Sequence, residues 1–419
     1  MFYISEIVNK KVWDAWGKKI GRCDDLLVGL ADKPVTPILA VAIQNNEGKT
    51  EAIPSSQISS LYPSITLKVP YEKFEPYSLK GSELWLEEQV LDHQIVDVEG
   101  RRVVRVNDIQ IAYMKDGYVI TGVDVSNLGL LRRMGLERIA EGIGKIFNKS
   151  FAKNVIAWKD VAYVEEKDPL RLNKSREKIS KLPPADIAMI LSDLDRPTGH
   201  SLVEEMTNEI LADTLEESPV KTQIEVLSKL DIEKAVDVLE EMEPDEAADL
   251  LSDMPADTSN ELLKLMEEEE AEDIRTLLDY PSDTAGGIMT TDFAWINKGL
   301  TAGEAIEFLR SSEDAHDVEE MYYVYVLEEN KRLCGVIYLR DLVMASPGTA
   351  IDQLMDGDPI SVSPETPQSE VAYLVAKYDL LALPVVNEET GEMLGIVTLD
   401  DAIDSVLPTA YKKRLPRFF

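Results

Sequence analysis

The sequence predicts an α+β multidomain chain: two small β-barrels, an α-helical superhelix, and a pair of β-α-β-β-α units. Three observations carry that prediction. A strand-rich pattern occurs twice within residues 1–168. A strongly acidic stretch, 175–282, repeats a short helical unit, and residues 286–408 hold two copies of a third pattern. A chain of 419 residues has room for about three domains at roughly 150 residues each, and a 44% apolar fraction supports packed cores.

Charge and processing signals narrow the function classes. The net charge is −35, unevenly spread. Residues 1–170 carry 24 acidic and 22 basic side chains, whereas residues 181–280 carry 29 and 7. The second segment repels phosphate backbones, so nucleic acid is not an expected partner; cations and basic proteins are its natural counter-charges. Apolar runs such as Pro37–Ile43 are far below the roughly 20 residues that span a bilayer, and the N-terminus lacks a signal-peptide pattern. Cys23 and Cys334 are too few for a disulfide framework, so a cytoplasmic location is expected.

The first element is a duplication. "VWDAWGKKIGRCDDL" (12–26) matches "IVDVEGRRVVRVNDI" (95–109) position by position. Downstream, Pro37–Ile43 matches Val119–Val125, and Ala52–Ile58 matches Val155–Val161. Gly17 and Gly100 fall where hairpin turns are expected between strand-like runs. The pattern resembles the PRC-barrel family, with one copy over 1–84 and another over 85–168. That resemblance implies assembly or docking, and no chemistry. Asp14, Asp25, Asp97 and Asp108 read as turn and strand-end carboxylates. Inside the second copy, 127–150 carries apolar residues near helical spacing among Arg132, Arg133, Arg138, Lys145 and Lys149. Contact with an anionic membrane is one reading of this run. Packing on its own barrel or on a protein partner is the stronger one.

The second element is helical. "LPPADIAMILSDL" (182–194) parallels "MEPDEAADLLSDM" (242–254), and shorter units recur about every twelve residues. Each opens near proline or acid and closes on paired apolar residues. Proline suits a first helical turn, and acids there oppose the helix dipole favourably. A stack of short helices with an apolar seam follows.

The third element is also a duplication. "YYVYVLEENKRLCGVIYLRDLV" (322–343) aligns with "LALPVVNEETGEMLGIVTLDDAI" (381–403). Each copy opens on an apolar-Met pair, Ile288-Met289 and Leu354-Met355. These units, 286–346 and 350–408, resemble CBS domains, and "GIVTLDD" (395–401) is close to that family's signature. Tandem copies imply a pseudo-symmetric unit with two clefts and a homodimer through the CBS domains.

An acidic superhelix joined to a CBS pair by "DTAGGIMT" (283–290) resembles the cytosolic region of MgtE-type magnesium channels. The paired glycines are expected to act as a hinge. The resemblance differs beyond 408, where those channels continue into a pore and this sequence runs "LPTAYKKRLPRFF" (407–419); by itself it is not expected to conduct ions.

The resemblance implies ligands. Mg²⁺ is hard, octahedral and reluctant to shed water, so it suits carboxylates that nearly meet across an interface. Carboxylates at the positions of Asp245, Asp379, Asp401 and Asp404 take part in Mg²⁺ sites of the resembling channels. Asp249, four residues after Asp245, is a further candidate, while another acidic position of the family is Pro367 here. ATP or AMP is the second expected ligand. Thr398-x-x-Asp401 matches the hydroxyl–carboxylate pair that holds a ribose, and Tyr323, Arg340 and Asp341 occupy positions that bind ATP in the channels. Tyr338 in place of a small hydroxyl residue and Leu380 in place of an aromatic weaken that match. His93, His200 and His316 are isolated, and no nucleophile or phosphate-loop motif occurs, so an enzyme is not expected. The leading expectation is a Mg²⁺-responsive regulator; the alternatives are a protein-docking scaffold and an auxiliary subunit of a separate membrane transporter.

Overall fold

The computed structural model describes residues 1–29, 35–80, 83–115, 117–135, 154–163, 178–312, 315, 318, 321–328 and 330–406, with backbone alone at 163 and 404–406. It falls into two compact units, Met1–Met206 and Thr207–Phe419.

The first unit is β-rich. Its first copy contains β1 (Phe2–Tyr3), β2 (Lys11–Trp13), β3 (Lys19–Gly29), β4 (Thr36–Asn45), β5 (Thr50–Pro54), β6 (Ile58–Ser60) and β7 (Ile65–Leu67). Its second contains β8 (Glu83–Trp85), α1 (Leu86–Gln89), β9 (Gln94–Asp97), β10 (Arg102–Arg105), β11 (Asp108–Met114), β12 (Gly117–Asp124), α2 (Asn127–Arg133), β13 (Val155–Ala157) and β14 (Val161–Tyr163). One sheet runs β1-β11-β12-β4-β3-β2-β7-β6, and a smaller one runs β10-β9-β14.

The duplication repeats down to single hydrogen bonds. Asn9 and Asp92 both take left-handed conformations, φ 65° and 69°. The Asn9 N–H donates to Cys23 O at 2.8 Å, and the Asp92 N–H donates to Val106 O at 2.9 Å. Asp14 Oδ1 accepts from the N–H groups of Trp16 and Lys18 at 2.9 Å, closing the β2–β3 turn around Gly17, whose φ is 76°. In the second copy Asp97 accepts from the Gly100 N–H at 2.9 Å, and the left-handed residue is Arg101.

The copies interlock. β1 pairs with β11 of the second copy, and β8 pairs with β3 of the first, so each leading strand lies in the other copy. The boundary expected between 84 and 85 therefore falls inside β8. Two carboxylates fasten the exchange. Asp25 accepts from the N–H groups of Leu26, Glu87 and Glu88 at 2.6, 2.7 and 3.1 Å. Asp108 accepts from the Ile109 N–H at 2.9 Å, the Ser5 N–H at 3.3 Å and the Ser5 hydroxyl at 2.6 Å. β4 and β12 join the copies through Thr36↔Ile120 and Pro37↔Val119. A single apolar cluster, including Ile4, Leu26, Ile95 and Ile109, serves both. On α2, Arg132 is buried, with Nη1 3.0 Å from Asp108 and 3.3 Å from Asp124 and its guanidinium 3.4 Å from the Tyr3 ring centroid. The rest of the basic run, 136–150, lies outside the described residues.

Eight helices follow: α3 (Pro184–Asp193), α4 (Arg196–Glu204), α5 (Asn208–Glu216), α6 (Val220–Leu227), α7 (Ile232–Glu240), α8 (Pro244–Asp253), α9 (Ala256–Leu265) and α10 (Glu268–Leu278). Each begins 12 residues after the last. The period fixes the capping chemistry. The residues before α3, α6 and α9 are Pro183, Pro219 and Pro255, which have no N–H to satisfy. Those before α8 and α10 are Glu243 and Glu267. Their N–H groups donate to Glu216 at 2.9 Å and Glu240 at 2.7 Å, glutamates that end α5 and α7. In the second unit alternate helices pack: α5 on α7, α7 on α9, α6 on α8, α8 on α10.

The CBS-like pair comprises β15 (Trp295–Asn297), α11 (Ala302–Ser311), β16 (Tyr323–Leu327), β17 (Leu333–Tyr338) and α12 (Leu339–Met344), then α13 (Gln368–Tyr378), β18 (Ala382–Val386), β19 (Met393–Thr398) and α14 (Leu399–Val406). Here too the copies exchange leading segments. Thr290 bridges to Ile396, with Met289 against Gly395; Asp356 bridges to Val336, with Met355 against Gly335.

The glycine pair differs from its sequence reading as a hinge. Neither Gly286 nor Gly287 has a positive φ. A Cβ on Gly286 would lie 2.6 Å from the Tyr280 ring, and one on Gly287 would lie 2.2 Å from the Pro281 carbonyl oxygen. The Ala285 and Gly286 N–H groups donate to Thr366 and Pro364 at 2.7 and 2.9 Å. The glycines are there for close packing, and the segment is stitched to the second CBS-like copy. Among the described residues no helix is long and apolar enough to cross a membrane.

Candidate cation and nucleotide sites

Asp245 is placed by the solenoid's repeat. Pro244 sets the first turn of α8, and the Glu216–Glu243 bond fixes where that helix starts. The Asp245 side chain points into the second unit and is only 8% exposed. Its Oδ1 has no hydrogen-bond partner among the described residues. Burial pushes its pKa well above the ordinary carboxylate value, and the charges of Asp401, Glu243 and Glu246 push it further the same way. Such a group is costly to keep ionised without a cation.

Asp401 lies in the first turn of α14. The Thr398 hydroxyl donates to Asp401 Oδ2, and the Asp401 N–H donates back to Thr398 Oγ1 at 3.4 Å. Of the five metal candidates, Asp245 and Asp401 are brought within electrostatic reach of each other. Asp249, one turn further along the same side of α8, is exposed where Asp245 is buried. Asp379 is exposed and closes α13 in a left-handed conformation, φ 52°. Asp404 lies in α14, with its side chain outside the described residues. Among the described residues no three His, Cys, Asp or Glu side chains converge as a metal cluster. Pro367 starts α13 and bridges to Thr284.

In the first CBS-like copy Tyr323 is buried, and its hydroxyl accepts from the Leu381 N–H at 3.2 Å. Its ring meets the half-exposed Tyr338 edge-on at 5.1 Å between centroids. Arg340 and Asp341 stand exposed on the first turn of α12, 4.0 Å apart.

Two features escaped the sequence reading. Glu243 and Glu246 flank Asp245 and share its field; the "MEPDE" run was the available signal. Asp273 on α10 has its pKa raised by burial while the Lys331 charge pulls it down. Nothing in the local sequence pairs those two.

An acidic short-helix solenoid leading into tandem CBS domains defines a class of architecture, the one found in the soluble, cytosolic parts of magnesium transporters. The MgtE intracellular N domain matches residues 182–283, and the CBS domain matches 285–348 and 351–408. Over this region the chain belongs to the MgtE family. It is 44% identical over 132 residues to the magnesium transporter MgtE of Thermus thermophilus, covering 32% of this chain and 29% of that protein. It is 35% identical over 240 residues to MgtE of Bacillus subtilis, covering 57% and 52%. The chain thus spans about half or less of the length of these relatives. The crystal structure of the cytosolic domain of the Mg²⁺ channel MgtE in complex with ATP is similar at 34% identity and a TM-score of 0.53, covering 57% of this chain and 94% of that one. The soluble part of a magnesium transporter is similar at 34% identity and a TM-score of 0.52, covering 55% and 90%.

Proposed function

We propose that the chain is a non-catalytic, Mg²⁺-responsive regulatory module that works as a homodimer through its CBS domains. The observation that carries this reading is the orphaned oxygen of buried Asp245 facing the charge of Asp401. Two opposed carboxylates repel by roughly 1 kcal/mol at 4 Å in water and several times that when partly buried. A hydrated dication between them reverses the sign. Mg²⁺ keeps several waters and needs only one or two carboxylates, so this donor set fits it. Asp249, Asp379 and Asp404 are the further carboxylates that would serve the waters of the same or neighbouring ions. Free Mg²⁺ then sets how firmly the solenoid holds to the CBS pair. An adenine nucleotide is the second ligand, with Tyr323, Arg340 and Asp341 in one cleft and Thr398 and Asp401 in the other. Limited proteolysis across residues 281–290 tests the reading: millimolar Mg²⁺ is expected to protect, and unchanged cleavage overturns it.

A docking role, alone or beside a separate membrane transporter, is favoured by Tyr338, Pro367 and Leu380, which depart from the ligand-binding pattern. Calorimetry showing neither Mg²⁺ nor ATP binding decides for it.

A further inference from the structure

The β2–β3 hairpin of the first unit carries a charge pattern that folding does not explain. Lys11 and Arg22 stand directly opposite each other in the ladder, both exposed. Like charges in that position destabilise a hairpin. Lys10 and Lys19 are exposed beside them, and Lys19 is the cross-strand partner of Trp13. Among the described residues, Lys10, Lys11, Lys19 and Arg22 form no ion pair, while Lys18 reaches Glu72 at 3.3 Å. Of the hairpin's own acids, Asp14 is buried in the turn, and Asp24 is exposed beside Arg22 and accepts from the Thr50 hydroxyl at 3.2 Å without pairing with a cation among the described residues.

At the tip stands Trp16, 70% exposed. Next to it, a Cβ on Gly17 would meet nothing within 4 Å, so the tip projects into open space. The matched hairpin of the second copy is built otherwise. There Glu99 replaces Trp16, Gln94 replaces Lys11, Arg101 is paired with Asp186 at 2.6 Å, and Arg102 with Asp97 at 3.3 Å. The same turn geometry thus exists in this molecule with one exposed cation outside any ion pair among the described residues, Arg105, against four in the first copy, and without an exposed indole. The excess in the first copy belongs to a ligand.

We propose that the β2–β3 hairpin docks on an anionic lipid surface, with Trp16 entering the headgroup layer and Lys10, Lys11, Lys19 and Arg22 facing its charge. Indole rings favour the interface between water and hydrocarbon. Each basic side chain near an anionic surface strengthens binding by about five-fold, and salt screens the effect. The observations favour lipid over an acidic protein because the tip is convex and unsupported; a protein partner would need a pocket to cover the indole.

The test is co-sedimentation of the full chain with phosphatidylcholine vesicles, with and without phosphatidylserine. Binding is expected only with phosphatidylserine and is expected to fall at high salt. Lys11→Glu with Arg22→Glu is expected to lower it more than about twenty-fold, and Trp16→Ala to lower it separately. Arg105→Glu, in the second hairpin, is the control expected to bind as wild type. Thermal unfolding of each variant checks that the fold survives; all the altered side chains but one are solvent-facing cations, and Trp16 is itself exposed. No binding to phosphatidylserine vesicles overturns the proposal, and so does binding indifferent to the hairpin variants. Hairpin-dependent binding to polyglutamate in place of vesicles overturns it in favour of an acidic protein.

Discussion

Two regions bury aspartates, and they treat them oppositely. In the β-rich unit, Asp25 and Asp108 are covered by donors: three backbone N–H groups for Asp25, and two N–H groups, the Ser5 hydroxyl and the Arg132 guanidinium for Asp108. In the second unit Asp245 is as deeply placed but keeps an unpartnered oxygen and faces Asp401. A buried carboxylate with its donors in place is a fastener. One lacking them, set against a second acid, stores repulsion that only an added cation or a proton relieves. Burial alone does not separate structure from function here; the partners do.

That contrast can be broken most severely at Arg132. Arg132→Met leaves Asp108 and Asp124 buried without their cation and is expected to cost about 3–5 kcal/mol, read as early melting of the β-rich unit. Asp25 gives the next effect. Burial raises its pKa from 3.8 to about 6, against its three N–H donors. The folded state therefore holds the proton more tightly than the unfolded one. Asp25's contribution to stability is greatest below about pH 4, falls by about 2–3 kcal/mol as pH rises through about 6, and is flat above. Urea unfolding across pH is expected to carry this slope, and Asp25→Asn to remove that part of it. Asp245→Asn sharpens the comparison from the other side. In chelator it is expected to stabilise the second unit by about 1–3 kcal/mol, because the orphaned charge is gone, and the response to Mg²⁺ is expected to vanish. A variant less stable than wild type in chelator would place Asp245 among the fasteners. The smallest effect is Glu240→Ala, which exposes one helix-end N–H and is expected to cost about 1 kcal/mol in thermal unfolding.

Local order was plainly written in the sequence. The twelve-residue period is carried by prolines and acids at each helix start, and the two β copies by Asp-x-x-Gly turns at matched positions. The candidate carboxylates were legible as residues, yet their grouping was not. Asp245 and Asp249 look equivalent at four-residue spacing, but α8 buries one and exposes the other. The glycine pair misled for a related reason. A string of letters shows that a side chain is missing; it does not show whether the backbone needed the freedom or Tyr280 and Pro281 needed the room. The crossing of β1 and β8 was invisible too, because a leading strand fits either copy equally well until the ladder is closed.

That crossing limits how the β-rich unit can be divided. Severed after residue 80, the first copy would keep a vacant slot along β3 and a loose β1 with nowhere of its own to lie. Two such fragments would each supply what the other lacks, and would close into a symmetric pair by trading N-terminal arms. A single copy of this motif is thus half of a clasp, and the tandem sequence is the clasp closed upon itself.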